Sequence, residues 1–217
     1  TYTLPRLIGQ QKANLMFYTG RRIGGEQAVE WGLADVLAPL ADVRKEATRL
    51  FRAKKPSVGA IQGPAIGGGL GLAIMTDFRV TCAEGRFAAN FTRLGFHPGF
   101  SLTYTLPRLI GQQRANLMFY TGRRIGGEEA VAWGMADVLV PLADVRKGAM
   151  DLAKEIAESA PLALLSTRET MRRGFADGAE EATERELTEQ DWTRKTEDFK
   201  EGIKSYAEKR VGNFKGR

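Results

Sequence analysis

Three consecutive glycines, Gly67 to Gly69, form the segment of this 217-residue chain that is best suited to chemistry. Glycine carries no side chain, so its backbone N–H groups stay uncovered and a ligand can approach them closely. At the start of a helix these N–H groups point outward, with the positive end of the helix dipole behind them. Such a turn can hold a phosphate, or it can stabilise the negative charge that develops on a carbonyl oxygen.

Two known phosphate-binding motifs do not fit the spacing of these glycines. No Lys-Ser/Thr pair follows them, as a P-loop requires, and Leu72 stands where a dinucleotide-binding fingerprint needs glycine. An oxyanion site remains as one interpretation. The other is a tight turn that allows close packing and has no chemical role.

The elements that must position the glycines are a short strand before them and an apolar helix after them. We expect a strand over Ser57–Gly63, a glycine-rich turn over Pro64–Gly69 and a buried helix over Leu70–Met75. Further strands and then helices are predicted at Phe78–Cys82, Arg86–Ala89 and Val138–Val140, and at Leu142–Ser159, Glu180–Trp192 and Glu197–Arg210. The chain should therefore be α/β in its middle and helical in its last third.

A long internal repeat surrounds this region. Thr1–Lys45 and Thr103–Lys147 differ at only five of 45 aligned positions, at an offset of 102 residues. Two separated copies do not make a solenoid, which stacks three or more units. Duplication, recombination between close homologues and an assembled sequence all remain open as origins. We expect the first copy to be helical like the second and to pack at a subunit boundary or in an exchanged position.

Composition excludes several classes of protein. The hydrophobic fraction of 43% and the charged fraction of 27% are those of a globular chain, and no run of 18 apolar residues could span a membrane. One cysteine and one histidine exclude a disulfide framework and any metal site with several Cys or His ligands. The net charge of +6 is scattered, which does not favour nucleic-acid binding. No secretion signal is visible, so we expect a cytoplasmic protein without membrane contact.

Three ordered segments resemble the enoyl-CoA hydratase/isomerase (crotonase) family. They read KPSVGAIQGPAIGGGLGLAIMTDFRV, GRFAANFTRLGFHPGFSLTYTLPRLIG and EDFKEGIKSYAEKRVGNFKGR, and they fall between Lys55 and Arg217. The resemblance implies a partial spiral of β-β-α turns followed by a helical trimerisation region. It divides the chain into a duplicated helical segment with its linker at 1–54, a crotonase-like core at 55–148 and a C-terminal helical region at 149–217.

The resemblance also implies a function, which is the binding of acyl-CoA thioesters with stabilisation of an enolate-like intermediate. The family's middle glycine donates one hydrogen bond to the thioester oxygen, and Gly68 matches it. The second donor belongs to an A-G-x-D motif, which this sequence lacks. The residues expected to line the substrate site are Ala65, Ile66, Gly67, Gly69, Gly71, Asn90, Phe91 and Gly99.

The family's acid–base positions carry different residues here. Gly71 and Phe91 stand where hydratases have two glutamates, so hydration by paired carboxylates is not expected. Phe91 resembles the chlorobenzoyl-CoA dehalogenase branch, but Gly99 occupies the position of that branch's nucleophilic aspartate. His97 remains as a candidate general base. We also expect a glutamate substituted at position 71 to fit the pocket.

Tyr206 and Lys209 match residues that hydratases place around the adenine and phosphates of coenzyme A. No permanently bound cofactor and no metal are expected, and coenzyme A enters as part of the substrate. A homotrimer or homohexamer is expected. Two alternatives remain, a catalytically impaired acyl-CoA-binding or assembly module and a CoA-thioester hydrolase or isomerase that uses His97.

Some residues are expected to be structural. Asp77, Cys82 and the repeat-equivalent Trp31 and Trp133 are interpreted as structural or core residues, and Trp192 as a candidate for a subunit contact.

Overall fold

The computed structural model describes residues 25–30 and 50–217 of the chain. The chain divides into two compact units, Thr1–Arg44 and Lys45–Arg217. The described part of the first unit is one short helix, α1 (Gly25–Glu30). Its bounds, shifted by the 102-residue offset of the repeat, are those of helix α5 (Gly127–Ala132) in the second unit. The expected helical conformation is confirmed for these six residues, and the rest of the first copy, with Trp31, lies outside the described residues.

The second unit alternates short strands with helices. Its strands are β1 (Val58–Ile61), β2 (Pro64–Ile66), β3 (Phe78–Thr81), β4 (Arg86–Ala88), β5 (Arg124–Gly126) and β6 (Val138–Leu139). Its helices are α2 (Gly68–Met75), α3 (Leu102–Ile110), α4 (Gln112–Thr121), α5, α6 (Val145–Ala157), α7 (Pro161–Met171), α8 (Phe175–Thr193) and α9 (Glu197–Ala207), with 3₁₀ turns at Thr92–Leu94 and Leu142–Asp144.

The strands form two small sheets, and the first four strands alternate between them. The first sheet has the order β1-β3-β6 and is parallel throughout. In the second sheet β4 lies between β2, to which it is parallel, and β5, to which it is antiparallel. Each of the strand pairs β1–β2 and β3–β4 thus contributes one strand to each sheet before a helix follows. This arrangement confirms the predicted α/β fold of β-β-α turns followed by C-terminal helices.

The main core lies between the second sheet and helices α2, α3 and α4. Leu70, Phe87, Leu106 and Met118 are fully buried in it. Helix α2 is apolar along most of its length, as a helix must be when it is enclosed on most sides. Trp133 packs at the edge of this core, as expected. Burial of these side chains supplies the main driving force for folding and fixes where α2 begins.

Several predicted bounds were wrong because long-range pairing decides them. The expected turn over Pro64–Gly69 begins with β2, which pairs in parallel with Arg86–Ala88. Proline is accommodated at the first position of that strand, because no ladder hydrogen bond has to be donated there. Helix α2 begins at Gly68 rather than at Leu70.

The helical bounds also shifted. The helix expected over Leu142–Ser159 begins as a 3₁₀ turn and becomes α-helical over Val145–Ala157. Helix α8 begins at Phe175, five residues before the predicted start, and α9 ends at Ala207. None of the described helices is long and apolar enough to cross a membrane. The three-part domain division and the subunit role of Trp192 stay predictions.

Asp77 is a structural residue, as expected. Its carboxylate accepts hydrogen bonds from the backbone N–H and hydroxyl of Ser57, at 2.8 and 3.0 Å, and from two arginine side chains of α7 and the turn after it. It therefore ties the end of α2 to the start of β1 and to the C-terminal helices. Cys82 is fully buried, and burial raises the pKa of its thiol, so it behaves as the expected inert core residue.

Candidate functional site

The glycine turn connects β2 to α2 in a backbone conformation that requires glycine. Gly67 has φ 57° and ψ −120°, a left-handed conformation that side chains rarely adopt. Its N–H donates to the carbonyl of Ala88 at 2.9 Å, which anchors the turn to β4. Gly68 is then the first residue of α2, where N–H groups have no preceding turn of helix to bond to. The turn therefore presents the Gly68 N–H at the positive end of a helix.

Asn90 and Phe91 lie directly against this turn. A side-chain carbon at Gly67 would be 3.5 Å from the amide oxygen of Asn90 and 3.8 Å from the ring of Phe91. Phe91 is buried and contacts Phe96 edge to face, with 5.4 Å between ring centroids. The structure thus brings Asn90 and Phe91 against Gly67, which lies 23 and 24 positions earlier in the sequence. It does so through the parallel pairing of β2 with β4.

Phe100 covers the other side of the turn and was missed by sequence reasoning. A side-chain carbon at Gly68 would be 2.7 Å from its ring, and one at Gly71 would be 2.4 Å from its Cβ. The space beside Gly71, where a glutamate was expected to fit, is therefore filled by Phe100. That expectation is wrong, because a side chain at position 71 would point directly into Phe100.

A buried carboxylate holds Phe100 in this position. Phe100 and Ser101 both have positive φ, 63° and 57°, which is strained for residues with side chains. Glu186 of α8 accepts hydrogen bonds from the N–H of Ser101 at 2.8 Å and from the N–H and hydroxyl of Thr103 at 2.9 and 2.7 Å. Burial raises the pKa of Glu186. No local signal in the sequence points to this contact, since the partners lie more than 80 residues apart.

His97 lies on the loop between the 3₁₀ turn and α3, and α8 holds its backbone. Its carbonyl accepts from the side-chain amide of Gln190 at 2.9 Å, and its N–H donates to the hydroxyl of Thr193 at 3.3 Å. The ring Nδ1 lies 2.8 Å from the carbonyl oxygen of Pro98. Because that carbonyl can only accept, Nδ1 must carry the proton, and a neutral ring then has a free electron pair on Nε2.

The remaining predicted residues occupy three environments. Ala65 is buried in the core and, with Gly69, lines a cleft of about 440 Å³ between β1, β2 and α2. A side chain at Gly99 would meet the amide nitrogen of Gln190 at 2.5 Å, so Gly99 allows the close approach of α8. Ile66 is partly exposed in β2.

Tyr206 and Lys209 lie at the end of α9 and in the turn after it. Half of Tyr206 is exposed, and its hydroxyl accepts a hydrogen bond from Arg124 at 3.3 Å. Phe199 of α9 contacts Phe96 edge to face at 5.5 Å, so α9 packs against the loop that begins at Phe91. Within residues 50–217, no hydrogen bond links Tyr206 or Lys209 to the glycine turn.

The fold and this glycine turn define a protein of the crotonase class. The family model for enoyl-CoA hydratase/isomerase matches the chain twice, over residues 1–53 and 45–217. The chain therefore belongs to the enoyl-CoA hydratase/isomerase (crotonase) family. The second match begins close to the predicted core, and the first shows that the repeated segment also resembles this family.

Two curated relatives show the extent of the similarity. An enoyl-CoA isomerase/hydratase of Zymoseptoria tritici is 36% identical over 190 residues, which cover 82% of this chain and 60% of the relative. The carnitinyl-CoA dehydratase of Escherichia coli K12 is 35% identical over 174 residues, which cover 78% of this chain and 67% of the relative. The chain thus spans between three fifths and two thirds of the length of these proteins.

Solved structures agree with the fold. An enoyl-CoA hydratase/isomerase from Pseudoalteromonas atlantica superposes with a TM-score of 0.75 at 24% identity, covering 86% of this chain and 75% of that one. A carnitinyl-CoA hydratase from Mycobacterium avium superposes with a TM-score of 0.73 at 26% identity, covering 93% of this chain and 74% of that one.

Proposed function

We propose that this chain binds acyl-CoA thioesters at the glycine turn, with the N–H of Gly68 as a hydrogen-bond donor to the thioester oxygen. The observation that carries the proposal is the position of Gly68 as the first residue of α2, after a left-handed Gly67 that is anchored to β4. A donor fixed in this way stabilises negative charge that develops on the oxygen, as in an enolate. The similarity to an enoyl-CoA isomerase/hydratase and to a carnitinyl-CoA dehydratase supports a CoA thioester as the ligand class.

The proposed binding site includes the residues that surround this donor. Asn90, Phe91 and Phe100 enclose the turn on two sides. Ala65 and Ile66 precede the turn in the sequence, Gly69 follows Gly68, and Gly99 precedes Phe100. Tyr206 and Lys209 at the end of α9 would contact the adenine and phosphates of coenzyme A. A lysine suits phosphate recognition because its ammonium group is a strong charged donor. No resident cofactor is part of this proposal.

Hydration of a double bond is not the reaction that these residues favour. The two positions that match the hydratase glutamates are Gly71 and Phe91, and neither can transfer a proton. Loss of one positioned acid–base group typically lowers the rate by about 10²–10⁴-fold. We therefore expect no hydration of crotonyl-CoA above background. The measurement is the loss of absorbance of the conjugated thioester, and a turnover of about one per second would contradict this expectation.

A second candidate function uses His97 as a general base for thioester hydrolysis or isomerisation. The contact between Nδ1 and the Pro98 carbonyl favours it, because a neutral ring would then carry its free electron pair on Nε2. His97→Asn should abolish thiol release from acyl-CoA while leaving acetyl-CoA affinity within about twofold. Binding of acetyl-CoA without any thiol release in the parent protein would instead identify an acyl-CoA-binding module.

Assembly and location complete the proposal. We expect a homotrimer or homohexamer in the cytoplasm, in keeping with the family resemblance. Exposed apolar residues on the helices of the last third, such as Leu162 and Trp192, suit contacts between subunits. Light scattering on the parent chain and on a chain lacking residues 1–45 tests this expectation. A fully monomeric parent would contradict it.

A further inference from the structure

A second cavity, of about 420 Å³, lies at the opposite end of α2 from the glycine turn. It is bounded by Ile74, Asp77 and Phe78 at the end of α2 and the start of β3, and by side chains of α3, α7 and the start of α8. An eight-residue helix is about 12 Å long, so this cavity lies apart from the glycine turn, and it shares Thr76 with the cleft that contains Ala65 and Gly69. Four arginines line it, and we call it the arginine cavity: Arg79, Arg108, Arg168 and Arg172.

The positive charges in the arginine cavity exceed the negative ones. Asp77 is the only acidic residue that lines it within the described part of the chain. Arg168 and Arg172 both pair with Asp77, at 3.1 and 2.9 Å, and each of these side chains is less than a fifth exposed. One carboxylate therefore serves two largely buried guanidinium groups. A buried charge without full compensation is unfavourable, and an anion would relieve it.

Arg79 is compensated in a different way. Its guanidinium donates to the carbonyls of Met135 and Thr76, both at 2.6 Å, and lies 3.4 Å from Asp137, which does not line the cavity. The carbonyl end of α2 carries about half a negative charge, which offsets part of the positive charge of the arginines. The excess positive charge therefore falls on Arg172 and on Arg108 at the rim.

Arg172 and Arg108 still have N–H groups that could donate hydrogen bonds to an anion. Arg172 uses Nε for Asp77 and Nη1 for the carbonyl of Met75, and Nη2 has no hydrogen-bond partner among residues 50–217. Arg108 uses Nη1 for the carbonyl of Tyr104 and stacks on that ring at 3.4 Å. The Tyr104 ring contacts Phe175 at 5.5 Å, and Arg172 lies 5.4 Å above Phe175. The two guanidinium groups thus flank one pair of touching rings.

We propose that the arginine cavity binds an amphiphilic anion, which consists of a carboxylate or phosphate headgroup on a short apolar body. Arg172 and Arg108 recognise the headgroup, because guanidinium groups form paired hydrogen bonds with both anions. Ile74, Leu109, Leu164 and Met171 supply the apolar lining for the body. The volume falls in the range of small-molecule sites.

Calorimetric titration of the full chain with octanoate tests the proposal. We expect saturable binding at one site, with affinity at least tenfold lower in Arg172→Gln and Arg108→Gln. Arg114→Gln is the matched control for Arg108→Gln, since Arg114, like Arg108, is exposed and lies over an aromatic ring, that of Trp133, but does not line the cavity. Its affinity should stay within twofold of the parent.

Leu164→Trp separates binding from folding, because it fills the cavity and keeps every arginine. Octanoate binding should be lost in this variant while its unfolding midpoint and its acetyl-CoA affinity stay close to those of the parent. Octyl phosphate should also bind, and octanol and inorganic phosphate should each bind at least tenfold more weakly.

Four results would overturn the proposal. The first three are absence of octanoate binding, unchanged affinity in both arginine variants, and binding of octanol as tight as that of octanoate. Inorganic phosphate that binds as tightly as octyl phosphate and is unaffected by Leu164→Trp would also overturn it, since it would show a surface ion site. None of these outcomes depends on the thioester site, so the two proposals can fail separately.

Discussion

Substitution of Gly71 by glutamate tests whether Phe100 fills the space beside the glycine turn. The new Cβ would lie 2.4 Å from the Cβ of Phe100, which is far inside normal contact distance. Phe100 cannot move freely, because Glu186 holds the following residues by three hydrogen bonds. Overpacking of this kind typically costs about 1–3 kcal/mol. Gly71 itself is buried, so the carboxylate also loses hydration and the cost should lie at the upper end of that range.

Gly69→Glu is the matched control for this substitution. Gly69 lies in the same helix two residues earlier, is exposed, and has no atom within 4 Å of its missing side chain. A glutamate there replaces a flexible glycine in the first helical turn, where negative charge is favourable. We expect Gly69→Glu to leave the free energy of unfolding unchanged or to raise it by up to about 1 kcal/mol.

Urea denaturation of a double-mutant cycle gives the sharpest result. Phe100→Gly removes the obstructing side chain and suits the positive φ at that position. The cost of Gly71→Glu should then fall by at least about 1 kcal/mol in the Phe100→Gly background. Strict additivity, or a Gly71→Glu chain as stable as Gly69→Glu, would refute the contact and the reasoning built on it.

Three further predictions concern charged groups. Asp77→Asn should lower the free energy of unfolding by about 3–5 kcal/mol in urea denaturation, because it leaves buried Arg168 without its partner. The raised pKa of Glu186 means that its contribution to stability is fully present below its ordinary pKa of 4.5 and is lost as pH rises through the folded pKa. The difference in unfolding free energy between the parent and Glu186→Gln should therefore fall as pH rises from about 4. Hydrogen bonds from Arg210 and the Asn213 backbone lower the pKa of Glu201 to about 2, and carboxyl-carbon NMR should show it titrating there.

Each of these predictions has a control and a contradicting result. Asp151→Asn removes an exposed carboxylate paired with Lys147 and should cost less than about 1 kcal/mol, so an equal effect at Asp77 would contradict its buried role. A pH-independent difference for Glu186→Gln would contradict the raised pKa. For Glu201, Arg210→Gln should return the pKa towards 4.5, and a parent value already near 4.5 would contradict the ion pair.

The sequence pattern predicts those parts of the site that depend on neighbouring residues. The strand, the glycines and the apolar helix lie within about 20 residues, and glycine chemistry together with hydrophobic patterning is sufficient to place them in order. The family resemblance extended this to Asn90 and Phe91, which the structure does place against Gly67. Asp77 was correctly interpreted as structural.

The parts that could not be predicted depend on contacts between distant elements. Phe100 lies 29 residues from Gly71, and its position requires two positive φ values that neither Phe100 nor Ser101 favours by itself. The carboxylate that stabilises them comes from α8, and no periodicity reveals which glutamate of that charged helix faces inward. The strand at Pro64–Ile66 was missed for the same reason, since only its partner β4 makes it a strand.

The most direct test of the central proposal is an NMR titration of chain labelled with ¹⁵N-glycine, using acetyl-CoA. The proposed function predicts a saturable change in the amide signal of Gly68, because its N–H gains the thioester oxygen as an acceptor. The amide of Gly67 should move less, since it already donates to Ala88. Gly111, whose N–H donates to Pro107 in the turn after α3, serves as the internal control and should not move. Saturation by acetyl-CoA without any change at Gly68, or no saturation at all, would contradict the proposal that the glycine turn binds the thioester.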